Sequence, residues 1–206
     1  MQSMEDLFEM GLKQAYFAEQ EILKALPKMA EAVQSNTLRA AMEKHIEQTR
    51  EQVRRLEEVF EICDVEPAAE PAPSFQGLLQ EGEHIMREIK QPEILQAALI
   101  ATAQAVEHWE IATYGTLRAW AEILDEQDAV DLLQETLEEE KKTDRILSEI
   151  AMEGVNEEAA AEGSDSERPT VGDGGATQSA RGASRGSGQP QAAQRRRGSQ
   201  KEQRRS

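Results

Sequence analysis

The chain has 206 residues, and 40 Asp and Glu against 23 Lys and Arg give it a net charge of −17, too acidic for a folded face that grips nucleic acid. At about 150 residues per domain it is one compact domain with an extension, and the single Cys63 excludes a disulfide framework or a thiolate metal cluster within one chain. The opening MQSMEDLFEM lacks a basic-then-apolar leader, and no apolar run approaches the ~18–20 residues that span a bilayer, so a cytoplasmic protein with no membrane segment is expected.

Leu12, Ala15, Glu19, Ile22, Leu26, Met29 and Val33 recur at spacings of three and four, which predicts a helix over 3–34 with a bend at Pro27. Ser35, Asn36 and Thr37 break the pattern and offer an N-cap. Leu38, Ala41, His45, Thr49, Gln52, Leu56, Val59 and Cys63 then define the inward face of a second helix ending at 64. So short a turn makes the two helices antiparallel neighbours. The prolines of VEPAAEPAPS, 65–74, predict a linker, and Ser74 a cap for a shorter helix over 75–90. Pro92 opens a long helix over 92–124, and a tight turn leads to the last one over 126–153. Two long antiparallel pairs joined by a long connection predict an all-α domain, 1–154: a four-helix bundle with a long crossover containing a short fifth helix.

The rest, 155–206, reads differently. Residues 1–153 hold 14 basic and 33 acidic side chains, net −19, whereas 154–206 hold 9 and 7. The tail passes from an acidic block to GATQSARGASRGSGQPQAAQRRRGSQKEQRRS, which has no large apolar residue and is expected to be disordered. Its arginine clusters suit nucleic acid or an acidic partner, but no aromatic residue is interleaved to stack bases. The acid excess of the domain, with only seven lysines in 153 residues, fits adaptation to high salt.

Some acids share the stripe that the apolar residues mark as buried. Glu19 lies between Ala15, Ile22 and Leu26, Glu107 and Glu110 lie with Ala103 and Tyr114, and Glu140 and Asp144 continue the line of Leu133, Leu137 and Leu147. Counting outward from each tight turn puts Glu19 level with Gln48 and Gln52, and Glu110 level with Glu140. Burying an unpaired carboxylate costs several kcal/mol, so converging carboxylates require protons, cations or a metal, and an oxygen-rich set suits iron or manganese. A water-filled hydrogen-bond network is the alternative. His45 falls one to two turns from this layer, His108 beside it, and His84 on the surface; Tyr16, Trp109, Tyr114 and Trp120 read as core.

The segments AYFAEQEILKALPKMA at 15–30, HIEQTREQVRRLEEVFE at 45–61, GLLQEGE at 77–83, AALIATAQAVEHWEIATYGTLRAWA at 97–121 and LLQETLEEEKKTDRILSEIA at 132–151 resemble, in this order and spacing, the YciE/YciF-type stress-response proteins of the ferritin-like superfamily. The resemblance covers 3–157. It implies a ferritin-like four-helix bundle, a homodimer, and a role in general stress, bile or osmotic responses. Ferritin-like carboxylate proteins use one Glu from each of two helices and a Glu-x-x-His pair from each of the others. By this resemblance Glu19 and Glu110 or Glu107 match the single glutamates, but the pairs are missing: Gln48 and Gln52 stand on the second helix, Glu140 with Thr143 and Asp144 on the fourth. The resulting expectation is one or two divalent ions, iron or manganese, held by Glu19, Glu107, Glu110, Glu140 and Asp144, with Gln52 and His45 in support. The alternative is a non-catalytic homodimeric interaction protein that kept the shape and lost the chemistry.

Overall fold

A computed structural model describes residues 2–165, which lie within one compact unit, Met1–Arg168. Most of the expected tail, 166–206, lies outside the described residues, and with it the expected contacts to nucleic acid or an acidic partner. The helices are α1 (Met4–Ala32), α2 (Asn36–Ile62), α3 (Pro73–Glu88), α4 (Pro92–Ile123), α5 (Gln127–Ile150) and α6 (Asn156–Asp165), with a π-helical turn at Ala151–Val155. Among the described residues there is no strand, and no helix is long and apolar enough to cross a membrane.

Local chemistry sets the helix ends. Ser3 caps α1 by accepting from the Asp6 amide at 3.1 Å, and Ser35 caps α2 by accepting from the Leu38 amide at 3.3 Å. Arg39 on α2 donates to the Ala30 and Val33 carbonyls at 3.1 and 2.6 Å, closing the C-terminus of α1. The sequence places a cap at Ser74 for a helix from 75, but α3 starts two residues earlier, at Pro73, and the Ser74 hydroxyl instead accepts from Trp109 Nε1 at 3.0 Å. Pro27 interrupts nothing: α1 runs through it with the proline exposed.

α1 packs on α2 and α4, and α5 packs on α4 and α2, closing a four-helix ring; α3, in the crossover, lies on α4 and α1. Neighbours around this ring are antiparallel. The diagonal pair α2 and α4 is parallel, and its register is visible where Gln96 on α4 accepts from the Gln34 amide at 2.9 Å and also from the Ser35 amide, tying the first turn to the start of α4. The interior is layered. One end holds Phe8, Leu12, Leu56, Phe60, Leu117 and Leu133; the other holds Met29, Leu38, Met42, Leu99, Leu147 and Ile150.

The chain does not leave the helical state at 154, where the sequence reading ends the domain. Gly154 takes φ 150, a conformation that glycine adopts without a Cβ penalty, and redirects the chain so that α6 packs back on α4. The acids Glu157 and Glu158 in its first turn suit a helix N-terminus.

Candidate metal centre

Between the two apolar ends lies a layer of acids. Glu19, Glu107, Glu110 and Glu140 are each no more than 2% exposed, and His45 is 4% exposed. His45, Glu107, Glu110 and Glu140 each place one ligand atom within 4.8 Å of the others. His45 Nε2 lies 3.2 Å from Glu107 Oε1, but out of hydrogen-bond alignment. The carboxyl groups meet in pairs, Glu19 with Glu110 and Glu107 with Glu140, close enough to share a proton.

Surrounding groups hold some of these side chains by one atom each. Tyr114 donates its hydroxyl to Glu19 Oε1, and Gln52 donates Nε2 to Glu140 Oε1 and, at 3.1 Å, to Glu139 Oε2. Arg55 grips Glu139 with both arms, at 2.7 and 2.9 Å, and reaches Thr136 at 3.2 Å and Glu135 at 2.9 Å. A line Arg55–Glu139–Gln52–Glu140 thus fixes one carboxylate from outside the layer. Thr49 and Thr143 take no part in this: they donate to carbonyls of their own helices, His45 and Glu139, at 2.9 and 3.2 Å.

The other atoms have no partner. Glu19 Oε2, Glu107 Oε2, both oxygens of Glu110, Glu140 Oε2, Gln52 Oε1 and both ring nitrogens of His45 are buried without a hydrogen bond. Among the described residues, every buried side-chain polar atom lacking a partner belongs to this cluster. Among the described residues the other buried side-chain polar groups have partners, as in native interiors. The donor set that remains, oxygens with one imidazole, fits a hard or borderline divalent cation.

The electrostatics agree. Burial, followed by the neighbouring acids, holds Glu19, Glu107 and Glu110 well above the usual carboxylate range. Glu140, also lifted first by burial, is pushed up to about 7 and restrained by contacts with Glu107 and Gln52. Burial lowers His45 to about 4, leaving its imidazole neutral with a free lone pair at neutral pH.

The positions expected from the sequence divide as follows. Glu19, Gln52, Glu107, Glu110, Glu140 and His45 converge. Asp144 does not join them: it is half-buried, 3.3 Å from His108 Nε2, and accepts from Gln104 at 3.1 Å. His45 belongs in the layer itself, not one to two turns away. Counting from the tight turns registers α2 only against its antiparallel neighbour, whereas the parallel α2–α4 register sets His45 beside Glu107, as it sets Gln34 beside Gln96. His84 is exposed. Of the aromatics read as core, only Tyr114 is buried, and it also holds Glu19; Tyr16, Trp109 and Trp120 are half-buried. Sequence reasoning missed Arg55 and Glu139, whose only signal is a shared flank with Gln52 and Glu140 across α2 and α5.

The family described as a domain of unknown function, DUF892, matches residues 3–160. Protein YciF of Escherichia coli is 39% identical over 160 residues, covering 77% of this chain and 96% of that protein. The crystal structure of that stress protein superposes with a TM-score of 0.73, covering 76% of this chain and 99% of the other. YcfI of Rhodopseudomonas palustris, 44% identical, gives 0.70 over 72% of this chain and 94% of its own. A Xanthomonas campestris protein, at 20% identity and a TM-score of 0.62 over 79% and 99% of the two chains, shares the fold. On both sequence and fold, the chain belongs to the DUF892 family as a ferritin-like homologue of the stress protein YciF.

Proposed function

We propose that this protein binds one or two divalent metal ions, iron or manganese, in mid-bundle, and that this centre is the working part of a cytoplasmic, homodimeric stress-response protein. The observation that carries the reading is the confinement of all unpartnered buried polar atoms of the described residues to Glu19, Gln52, Glu107, Glu110, Glu140 and His45. Five carboxylate oxygens without a partner, with Gln52 Oε1 and the two His45 nitrogens the other unmet buried side-chain atoms among the described residues, support a ligand set for a cation.

Each residue has a part. Glu19, Glu107, Glu110 and Glu140 supply oxygens, and His45 supplies a neutral nitrogen. Tyr114 keeps Glu19 in its rotamer, while the Arg55–Glu139–Gln52 line does the same for Glu140. Because the carboxyls hold protons above their usual range, loading releases protons, and uptake strengthens with pH. Bound iron or manganese supplies redox chemistry toward oxygen or peroxide; the set supports metal binding more directly than turnover. Asp144 stays outside the ligand set, paired with His108 and Gln104.

Elemental analysis of full-length protein purified without chelator and supplemented with Fe²⁺ or Mn²⁺ tests this. Stoichiometric metal that is lost in Glu110→Gln and Glu140→Gln is expected; metal content near zero would sink the reading. The second reading, a structural protein without metal, draws on the paired carboxyls, Glu19 with Glu110 and Glu107 with Glu140, which can close the layer on shared protons alone. It expects both variants to keep the fold, with metal content unchanged and stability unchanged or raised.

A further inference from the structure

The carboxylate layer is not sealed on its His45 side. A cleft of about 360 Å³ runs between α2, α4 and α5 from the surface to His45 and Glu107. Its walls are mostly apolar, formed by Ala41, Met42, Ala103, Ile146 and Leu147, with Gln48 and Thr143 among the polar exceptions. An apolar pocket of about 40 Å³ under α3, against Ile22, Leu78 and Leu79, ends on the same two side chains. Ligand sites run from about 300 to 1,000 Å³, apolar with a few convergent polar groups, and this cleft matches the small end of that description. The convergent groups are His45 and Glu107, both at least nine-tenths buried with unpartnered atoms.

We propose that this cleft is the site of a small organic ligand with an apolar body and a single uncharged oxygen head group, an alcohol or a phenol, whose head lies against His45 and Glu107. The inference rests on the metal reading for the role of the head group, since the same two residues serve both. The mostly apolar walls favour an apolar body. The charges along the path exclude an anionic one: Glu107 at the floor and Glu149 and Glu153 at the mouth face a single Lys44. A divalent cation held by the carboxylates would disfavour an ammonium head in turn. A hydroxyl both donates and accepts, which suits a carboxylate oxygen beside an imidazole nitrogen. The chain's own tail is a poor occupant, because 174–206 contains no large apolar residue.

The test is calorimetric titration of metal-loaded, full-length protein with 1-hexanol, 1-octanol, octanoate and octylamine. One equivalent of octanol is expected to bind, about 15-fold tighter than hexanol for two further buried methylenes. Octanoate and octylamine should bind at least about tenfold more weakly. Ala41→Phe, which fills the cleft from a half-buried wall, should abolish binding, and Ile146→Gln should weaken it about tenfold, both with metal content unchanged. Octanol binding indifferent to Ala41→Phe, equal binding of either charged analogue, or binding by monomer but not dimer would overturn the proposal, the last by assigning the cleft to a second copy. Loaded protein that takes up no octanol overturns it and leaves the metal reading intact. A chain that never loads yet binds octanol with the same sensitivity to Ala41→Phe upholds the cleft and sinks the metal reading.

Discussion

The bundle has two interiors that are equally dry and chemically opposite. Phe60 and Leu133 at one end and Glu110 and Glu140 in the middle are all at most 1% exposed. At the ends, removal from water is itself the stabilising force. In the middle the same removal works against the fold, because each carboxyl gives up hydration without a partner for at least one oxygen. Burial therefore does not say what a position contributes. The ends hold the four helices together, and the middle spends part of that stability on a cluster of buried carboxyls.

The sharpest way to break this comparison is to substitute equally buried residues from the two regions. Phe60→Ala should cost about 3–5 kcal/mol, as truncation of a fully packed aromatic does. Glu110→Gln in metal-free protein should go the other way at pH 8, since the amide supplies Glu19 with a hydrogen and no proton has to be held against solution. Each pKa unit so relieved is worth about 1.4 kcal/mol. Denaturant midpoints measure both. A Glu110→Gln variant as unstable as Phe60→Ala would show that the layer is ordinary packing.

The pH dependence of metal-free protein separates the regions next. The apolar ends do not titrate. Glu19, Glu107, Glu110 and Glu140 have folded-state pKa values above those of the unfolded chain, so the native state holds protons that the unfolded state has released. Their contribution is complete below the unfolded value and is lost as pH rises through the folded one. For Glu140 alone, between 4.5 and about 7, the loss is ~3 kcal/mol. His45 acts oppositely: lowered from 6.5 to about 4, it costs stability as pH falls through that window. Four carboxyls outweigh one imidazole, so thermal scans should show metal-free protein less stable at pH 8 than at pH 5, with the slope reduced in Glu140→Gln.

How much of this was legible beforehand follows from the same division. The apolar stripes at spacings of three and four gave helix existence, order and inward face, because burial of a stripe is a local property of one helix. Glu19, Glu107, Glu110 and Glu140 were legible for the same reason, as acids on stripes that had to be buried. Asp144 and the depth of His45 were misplaced because a stripe is about 100° wide and a diagonal register is a property of the assembled bundle. Asp144 sits at the edge of its stripe, where His108 and Gln104 reach it. His45 meets Glu107 through the parallel α2–α4 register, which the long crossover leaves undetermined. Helix α6 falls in the stretch that composition assigns to the tail, and the positive φ of Gly154 that redirects the chain into it is a property of the folded backbone.

On the metal reading, a bound cation should convert one region and leave the other alone. A cation that binds the folded state only should stabilise the chain by about 2.7 kcal/mol at a free concentration 100 times Kd. With the carboxyl protons displaced, the fall in stability from pH 5 to pH 8 should flatten or reverse, since affinity rises with pH. Titrating Mn²⁺ into metal-free protein while recording Tm at both pH values measures the two effects together. A Tm that does not move, in protein shown to be folded, would leave the layer closed on its own protons.

The smallest effect tests whether the two regions are independent. Asp125, in the α4–α5 turn, has φ 60, a left-handed conformation at the C-terminus of α4, where the Glu126 amide donates to the Ala121 carbonyl at 3.0 Å. A side chain costs something in that conformation, and a carboxylate at a helix C-terminus opposes the helix dipole. Asp125→Gly should therefore stabilise by about 1 kcal/mol, or about 2–4 °C in Tm for a chain of this size. The turn adjoins the apolar end that holds Phe60 and Leu133 and shares no partner with the carboxylates, so the gain should be the same in metal-free and metal-loaded protein. A gain that differs between the two states by more than about 0.5 kcal/mol would mean that loading reaches the end of the bundle, and that the layer and the ends form one cooperative unit.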